Sequence, residues 1–274
     1  MMSPVSTAPP QASPADHSAL KSLSATQLAQ YQADGFIILR QVFTPAEIAE
    51  LEAEANALWW RRDLIDTDNI RCRWKNHVET KECKFECYDP VIDIGPVCAK
   101  LARDPRILDP LHDIYGEPAH LFKDKLIYKP PGTEGYNLHQ DYIAWETFPK
   151  SFLTVLIAID PADGDNGATE VFPGYHHNGL LTPADGMYHD LPLELIDQTK
   201  GVKLDLRPGD IGIFGGYTPH RSSANLTSGW RRQLYVSYNR DSDGGEQRTE
   251  HYAYFHQWLH ERYAEYGKTK VYFR

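Results

Sequence analysis

No stretch of this 274-residue chain carries the run of apolar residues needed to cross a bilayer, and its first residues lack a cationic patch followed by an apolar segment. A soluble, unexported protein of the cytoplasm is expected. Positive charge is in deficit as well. With 28 Lys and Arg against 38 Asp and Glu, the formal charge is −10, which gives no general attraction to nucleic acid or to an anionic membrane surface and points to a small-molecule partner. Cysteine is sparse: Cys72, Cys83, Cys87 and Cys98 make no disulfide framework in a chain this long and contain no Cys-x-x-Cys pair for zinc. They read as reduced thiols without an assigned role. There is no internal repeat, and the length suits one domain with a substantial core.

Residues 1–20 are rich in Pro, Ser and Ala and poor in large apolar groups, so a disordered leader is expected. A single domain over 21–274 follows, with a helical flank at 21–118, a β core at 119–240 and a last helix at 246–266 packed outside. Ser24 opens a short helix that ends near Asp34-Gly35, and Phe36-Ile37-Ile38-Leu39 reads as a buried strand. Thr44-Pro45-Ala46-Glu47 joins an N-cap, a first-turn proline and a capping-box glutamate, which predicts a long helix to about Arg62. Another spans about Pro105 to Tyr115 and closes on Gly116. The region between these two helices, with its cluster Arg71, Arg73, Lys75, Asn76 and His77, shows no clear periodicity and reads as a long loop.

Beyond Gly116 the pattern changes. Apolar and β-branched runs at Leu121–Tyr128, Phe152–Ile159, Gly201–Leu206, Ile211–Phe214 and Leu234–Tyr238 are separated by Pro, Gly and Asp turns. The fold class expected is mainly β with flanking helices, around a double-stranded β-helix core of the jelly-roll, cupin-like kind.

His139-Gln140-Asp141 sits in that core. An imidazole and a carboxylate two residues apart on a strand point the same way, so one metal ion can meet both. A third ligand from the remote His220 completes two histidines and one carboxylate on one face, leaving the other face open, as in non-haem Fe(II) oxygenases. The short motif alone is common by chance, and two histidines with a carboxylate also serve hydrolytic zinc enzymes.

The wider series is more specific. His139-x-Asp141, then Asn166-Gly167-Ala168-Thr169-Glu170-Val171-Phe172-Pro173-Gly174-Tyr175-His176, Pro208-Gly209-Asp210, His220, Ser222 and Arg231 resembles the phytanoyl-CoA dioxygenase family of Fe(II)- and 2-oxoglutarate-dependent oxygenases. The resemblance implies that His139, Asp141 and His220 are catalytic iron ligands. It further implies that Arg231 and Ser222 hold the distal carboxylate of 2-oxoglutarate, with O₂ as second co-substrate. Halogenating members have a small residue where Asp141 stands, so hydroxylation is expected here. Arginine's planar fork suits a buried carboxylate. Arg232, out of phase with Arg231, should serve as a structural or surface charge.

The remaining site residues are inferred from position. Lysines share one face of Phe122-Lys123-Asp124-Lys125-Leu126-Ile127-Tyr128-Lys129, and Lys125 is the candidate to meet a 2-oxoglutarate carboxylate or an anionic substrate group; the alternative is a solvated strand face. Trp145 stands where ectoine hydroxylases of the family carry a pocket aromatic. With Tyr128 and Tyr142 it would form an aromatic wall suited to an amine. Arg71 and Arg73 would clamp an anion. The run from Phe122 through Trp145 looks like that of bacterial dioxygenases acting on 2-aminoethylphosphonate and its N-methylated relatives, which makes such a zwitterion the expected substrate. A tailoring hydroxylase of natural products or acyl chains and a non-catalytic metal-binding jelly roll are the alternatives.

Overall fold

A computed structural model describes residues 20–66, 69–145 and 147–266; the expected leader lies outside them, apart from Leu20. Chain order runs α1 (Ala25–Asp34), β1 (Phe36–Leu39), α2 (Pro45–Trp59), β2 (Cys72–Asn76), β3 (Cys83–Tyr88), α3 (Pro96–Leu101), α4 (Pro105–Tyr115) and β4 (Ala119–Ile127). Then come β5 (Tyr136–His139), β6 (Leu153–Ala158), β7 (Thr169–Val171), β8 (Val202–Lys203), β9 (Ile211–Gly215), β10 (His220–Ser222), β11 (Gln233–Arg240) and α5 (Arg248–Tyr266). No helix among the described residues is long and apolar enough to cross a membrane.

The helix starts follow from local chemistry. Ser24 and Thr44 each accept from the backbone N–H three residues on, and Gln27 and Glu47 reach back to the caps, so both capping boxes close. Gly116 ends α4 at φ 73°, a left-handed conformation that glycine adopts without strain. The second helix stops at Trp59, short of Arg62.

Among the described residues a seven-stranded sheet, in the order β1-β9-β6-β11-β4-β3-β2, faces a four-stranded sheet, β5-β10-β7-β8. This is the jelly-roll architecture expected. Alternation along each strand decides which side chains meet the site. On β6, Val155 and Ile157 pack with Leu51, Leu58 and Ile107 in the core under the helices, whereas Leu156 and Ala158 join Val171 and Leu204 between the two sheets. On β11, Leu234 and Val236 belong to the first cluster and Tyr235 to the second.

Two expectations fail. The supposed long loop folds into the β2–β3 hairpin and α3, and the hairpin extends the large sheet through the pairs Cys87↔Ile127 and Tyr88↔Leu126. A register shift between Arg73 and Trp74 breaks the alternation of β2, which is why no period showed in the sequence. The final helix does not lie outside. The Tyr252 hydroxyl on α5 lies 2.8 Å from the Asp124 carbonyl oxygen and 3.0 Å from Asp89 Oδ1, tying α5 across β4 at one end of the space between the sheets. Tyr252 and Phe255 are buried there, at 6% and 3% exposure.

Candidate functional site

β5 ends at His139 and β10 begins at His220, and antiparallel pairing sets the two opposite each other with ring centroids 4.2 Å apart. Gly135 lets the strands approach: a Cβ there would lie 1.8 Å from the Ser222 carbonyl oxygen. Because β5 stops at His139, Asp141 occupies the bend after the strand rather than a second position along one strand face, which corrects that expectation. Gln140 fixes the bend. Its amide donates to the Gly179 and Tyr217 carbonyls at 2.8 and 2.7 Å, and its Oε1 accepts from the Leu181 N–H at 2.8 Å. Asp141 Oδ1 thereby lies 3.6 Å from His139 Nε2 and 3.7 Å from His220 Nε2. One ligand atom from each residue falls within 4.8 Å of the others, and the group could hold a metal ion.

The imidazoles are oriented for that use. His139 Nδ1 donates to the Asn137 carbonyl at 2.7 Å and His220 Nδ1 to the Thr218 carbonyl at 3.0 Å. Carbonyls only accept, so the proton sits on Nδ1 and each Nε2 turns a lone pair toward Asp141. Burial, reinforced by His139, pushes His220 down to about 4 against the pull of Asp141, which leaves a neutral ring at neutral pH. Burial would raise the Asp141 carboxyl, but His220, the contact with His139 and the charge of Lys125 outweigh it and hold the carboxyl well below its usual range. Thr154 Oγ1 donates to Asp141 Oδ2 at 3.3 Å.

Behind Ser222 and Tyr235, which line the cavity, lie two buried basic side chains, Arg231 and Lys129, that do not themselves line it. Arg231 is 1% exposed, its guanidinium contacts Gln233 Oε1 and the Tyr235 hydroxyl, and its Nε has no hydrogen-bond partner among the described residues. Lys129 leaves β4 through a left-handed turn at φ 41°, and its Nζ, fully buried, donates to Ser222 Oγ at 2.9 Å. Burial and the Arg231 charge push that lysine well below its usual range, while Glu86 pulls it up. The Arg231 guanidinium, the Lys129 amine and the Ser222 hydroxyl together gather donors that suit an anionic ligand.

The lysine row is buried, not solvated. In the β4–β11 ladder Lys125 opposes Tyr235 and Lys123 opposes Ser237, and both lysines line the cavity. Lys125 Nζ stands 5.1 Å from the Tyr235 ring, and although burial would lower it, Asp141 and Asp89 raise it. Lys123 Nζ meets Asp89 Oδ2 at 3.1 Å. Arg73 lines the cavity from β2, opposite Cys87. Arg71 does not: it pairs with Asp93 at 2.8 Å and donates to the Pro90 carbonyl, because it precedes the strand that aims Arg73 inward. Arg232 pairs with Asp160 and Glu52 on the helix side, as its phase demands.

Of the three expected wall aromatics only Trp145 lines the cavity, its indole N–H bonded to the Gly186 carbonyl. Tyr128 shares its strand face with Leu126 and donates to the Ala55 carbonyl at 2.8 Å in the core under the helices. The alternation that turns Lys125 inward turns Tyr128 away. Tyr142 stacks on Tyr217 at 4.7 Å and lies behind the wall. Sequence reasoning missed Asp89, Tyr188, His251, Phe255 and Trp258, all of which line the cavity. His251, Phe255 and Trp258 recur at helical spacing and were a readable stripe on α5, whereas Tyr188, 5.5 Å from the His139 ring, lies in irregular chain without such a signal.

Comparison with known proteins agrees with this geometry. The family profile of phytanoyl-CoA dioxygenase (PhyH) matches residues 31–233. The methylphosphonate hydroxylase of Gimesia maris is 31% identical over 238 residues, which cover 85% of this chain and 86% of that protein. The 2-aminoethylphosphonate dioxygenase of an uncultured bacterium is 26% identical, covering 80% and 82%. Among solved structures, EctD from S. alaskensis with bound Fe superposes with a TM-score of 0.68 at 23% identity, over 87% of this chain and 85% of that one, which establishes the shared fold.

Proposed function

The chain belongs to the phytanoyl-CoA dioxygenase family, and from that premise we propose that it is an Fe(II)- and 2-oxoglutarate-dependent hydroxylase of a small organophosphonate. Methylphosphonate, 2-aminoethylphosphonate and N-methylated analogues of the latter are the candidate substrates. The observation that carries the reading is the wall of three cations, Arg73, Lys123 and Lys125, lining the same cavity as the two histidines and Asp141.

His139, Asp141 and His220 would hold the iron: two neutral imidazole nitrogens and a carboxylate on one side are the donor set that ferrous oxygenases use. With 2-oxoglutarate and O₂, the bound iron supplies the oxidising power to hydroxylate a C–H bond while the keto acid becomes succinate and CO₂. The protein supplies placement. Arg231, whose Nε lacks a partner among the described residues, and Lys129 with Ser222 would grip the distal carboxylate and so set the depth of the co-substrate. Lys125, whose charge acts on Asp141, neutralises anionic oxygen beside the metal ligands. Phe214, its ring tilted 4.6 Å from that of His220, and the aromatic residues of α5 keep the reacting end dry, which strengthens every charge interaction there.

The test is to incubate the iron-loaded protein with 2-oxoglutarate and, in turn, methylphosphonate, aminophosphonates, betaines and acyl-CoA esters, and to quantify succinate. Release stimulated by a phosphonate supports the reading. No stimulation by any phosphonate overturns the substrate class.

A further inference from the structure

We propose that Arg73, Lys123 and His251 form the subsite for the phosphonate group, and that this subsite selects an alkylphosphonate without an amine; the inference rests on the organophosphonate reading above. Three separate elements, β2, β4 and α5, bring these side chains to one end of the cavity. Arg73 and His251 are 3% and 7% exposed. Asp89 is their built-in counter-ion: its Oδ2 lies 3.1 Å from Lys123 Nζ and 3.8 Å from Arg73 Nε, while the Tyr252 hydroxyl holds its Oδ1 at 3.0 Å. One clamped carboxylate shared by two cations leaves a net positive charge, and a phosphonate oxygen can add to both without displacing it.

His251 supplies the third contact. Its Nε2 is buried with no hydrogen-bond partner among the described residues, on a ring that lines the cavity and packs 4.2 Å from Phe122. A neutral imidazole there can donate one N–H to an oxyanion, and a buried polar atom without a partner is costly unless a ligand meets it. A phosphonate has three oxygens arranged tetrahedrally, and here it would meet an ammonium, a guanidinium and an imidazole.

The same groups disfavour an amine. The ring that would cage an ammonium, Phe255, already carries Lys123 Nζ at 4.5 Å and Arg73 Cζ at 5.4 Å from its centroid. Of the three expected cage walls, Tyr128 and Tyr142 do not line the cavity, which leaves Trp145 alone. Among the described lining residues the carboxylates are Asp89, clamped by two cations, and Asp141, committed to the metal set. An ammonium held next to the phosphonate therefore finds no uncommitted carboxylate among the described lining residues and faces Lys125 instead, a juxtaposition of like charges that costs affinity.

Anaerobic calorimetric titration of the protein loaded with Fe(II) and 2-oxoglutarate tests this with methylphosphonate, ethylphosphonate and 2-aminoethylphosphonate. The alkylphosphonates are expected to bind at least about tenfold more tightly than the aminophosphonate. Lys123→Gln should weaken methylphosphonate by about tenfold or more, and Lys123→Arg should restore most of the loss. Equal or tighter binding of 2-aminoethylphosphonate, or an unaltered affinity in K123Q, overturns the inference while leaving the organophosphonate reading in place. If no phosphonate binds the unaltered protein and a betaine or thioester drives succinate release, the organophosphonate reading itself has failed. The ligand panel on the unaltered protein decides the amine question whatever the variants do.

Discussion

His139 and His220 are register partners, held across the β5–β10 ladder with rings 4.2 Å apart and each Nε2 within 3.7 Å of the same Asp141 oxygen. Their separation is set by backbone hydrogen bonds and by the two carbonyls that fix the Nδ1 protons, so the geometry belongs to the fold and not to any ligand.

His139→Ala and His220→Ala should each abolish tight Fe(II) binding in anaerobic calorimetry and, with it, substrate-driven succinate release. The sheets should survive, because the loss leaves the ladder bonds intact. Iron affinity equal to that of the unaltered protein in either variant would remove that residue from the ligand set.

Arg231→Gln should raise the apparent KM for 2-oxoglutarate by roughly 10- to 100-fold, the range expected when a charge-assisted bond to a carboxylate worth about 1.5–3 kcal/mol is lost. Lys129→Met, removing the neighbour that shares Ser222, should act in the same direction. A KM that stays constant in both would place the distal carboxylate elsewhere.

Tyr128 and Trp145 should respond in opposite ways. Tyr128→Phe removes a buried bond to the Ala55 carbonyl and should cost about 1 kcal/mol in urea unfolding without changing substrate KM. Trp145→Ala opens the cavity wall and should raise substrate KM more than it alters substrate-free 2-oxoglutarate turnover. A substrate effect from Tyr128→Phe would contradict its place under the helices.

Acid should destabilise the fold in a defined window. Burial, helped by the Lys123 charge, pushes His251 from its ordinary 6.5 down to about 3. Between those values the unfolded chain takes up a proton that the native chain refuses, so stability rises with pH through the window and is lost as pH falls from 6.5. Asp89 acts lower: burial opposes its ionisation, but Lys123 and Arg73 bring it to about 2, and its contribution fades only below its ordinary 3.8. His251→Phe should therefore flatten the slope of unfolding free energy between about pH 4 and 6 by up to about 1.4 kcal/mol per unit. An unchanged slope in urea titrations across that range would show that the ring ionises freely in the native protein.

Local chemistry made much of this molecule readable. The caps at Ser24, Thr44 and Gly116 announced α1, α2 and α4, because a cap is a contact between residues three or four apart and needs no tertiary partner. Period two suits Lys125 inward and Arg232 outward, and the same rule, applied one step further, argues against the place in the wall that was expected of Tyr128. The residues that could hold a metal ion, His139, Asp141 and His220, were visible as motif and order.

Long-range pairing hid the rest. The β2–β3 hairpin has a bulge at Arg73 and joins the sheet through Cys87 and Ile127, so neither its existence nor the inward turn of Arg73 could be read from alternation. Asp141 reaches the histidines from a bend pinned by Gln140 to Gly179, Leu181 and Tyr217. The placement of α5 over the cavity depends on Tyr252 finding Asp89 and Asp124.

Residue order alone supplied the chemistry: two imidazoles and a carboxylate able to hold a metal, basic side chains, and the strands to carry them. Packing selected which cations line the cavity beside His139, Asp141 and His220, which pair with carboxylates elsewhere, and how the final helix closes the cavity with His251 and Phe255. Those choices rest on contacts between residues far apart in the chain, where packing and charge pairing outweigh any local preference.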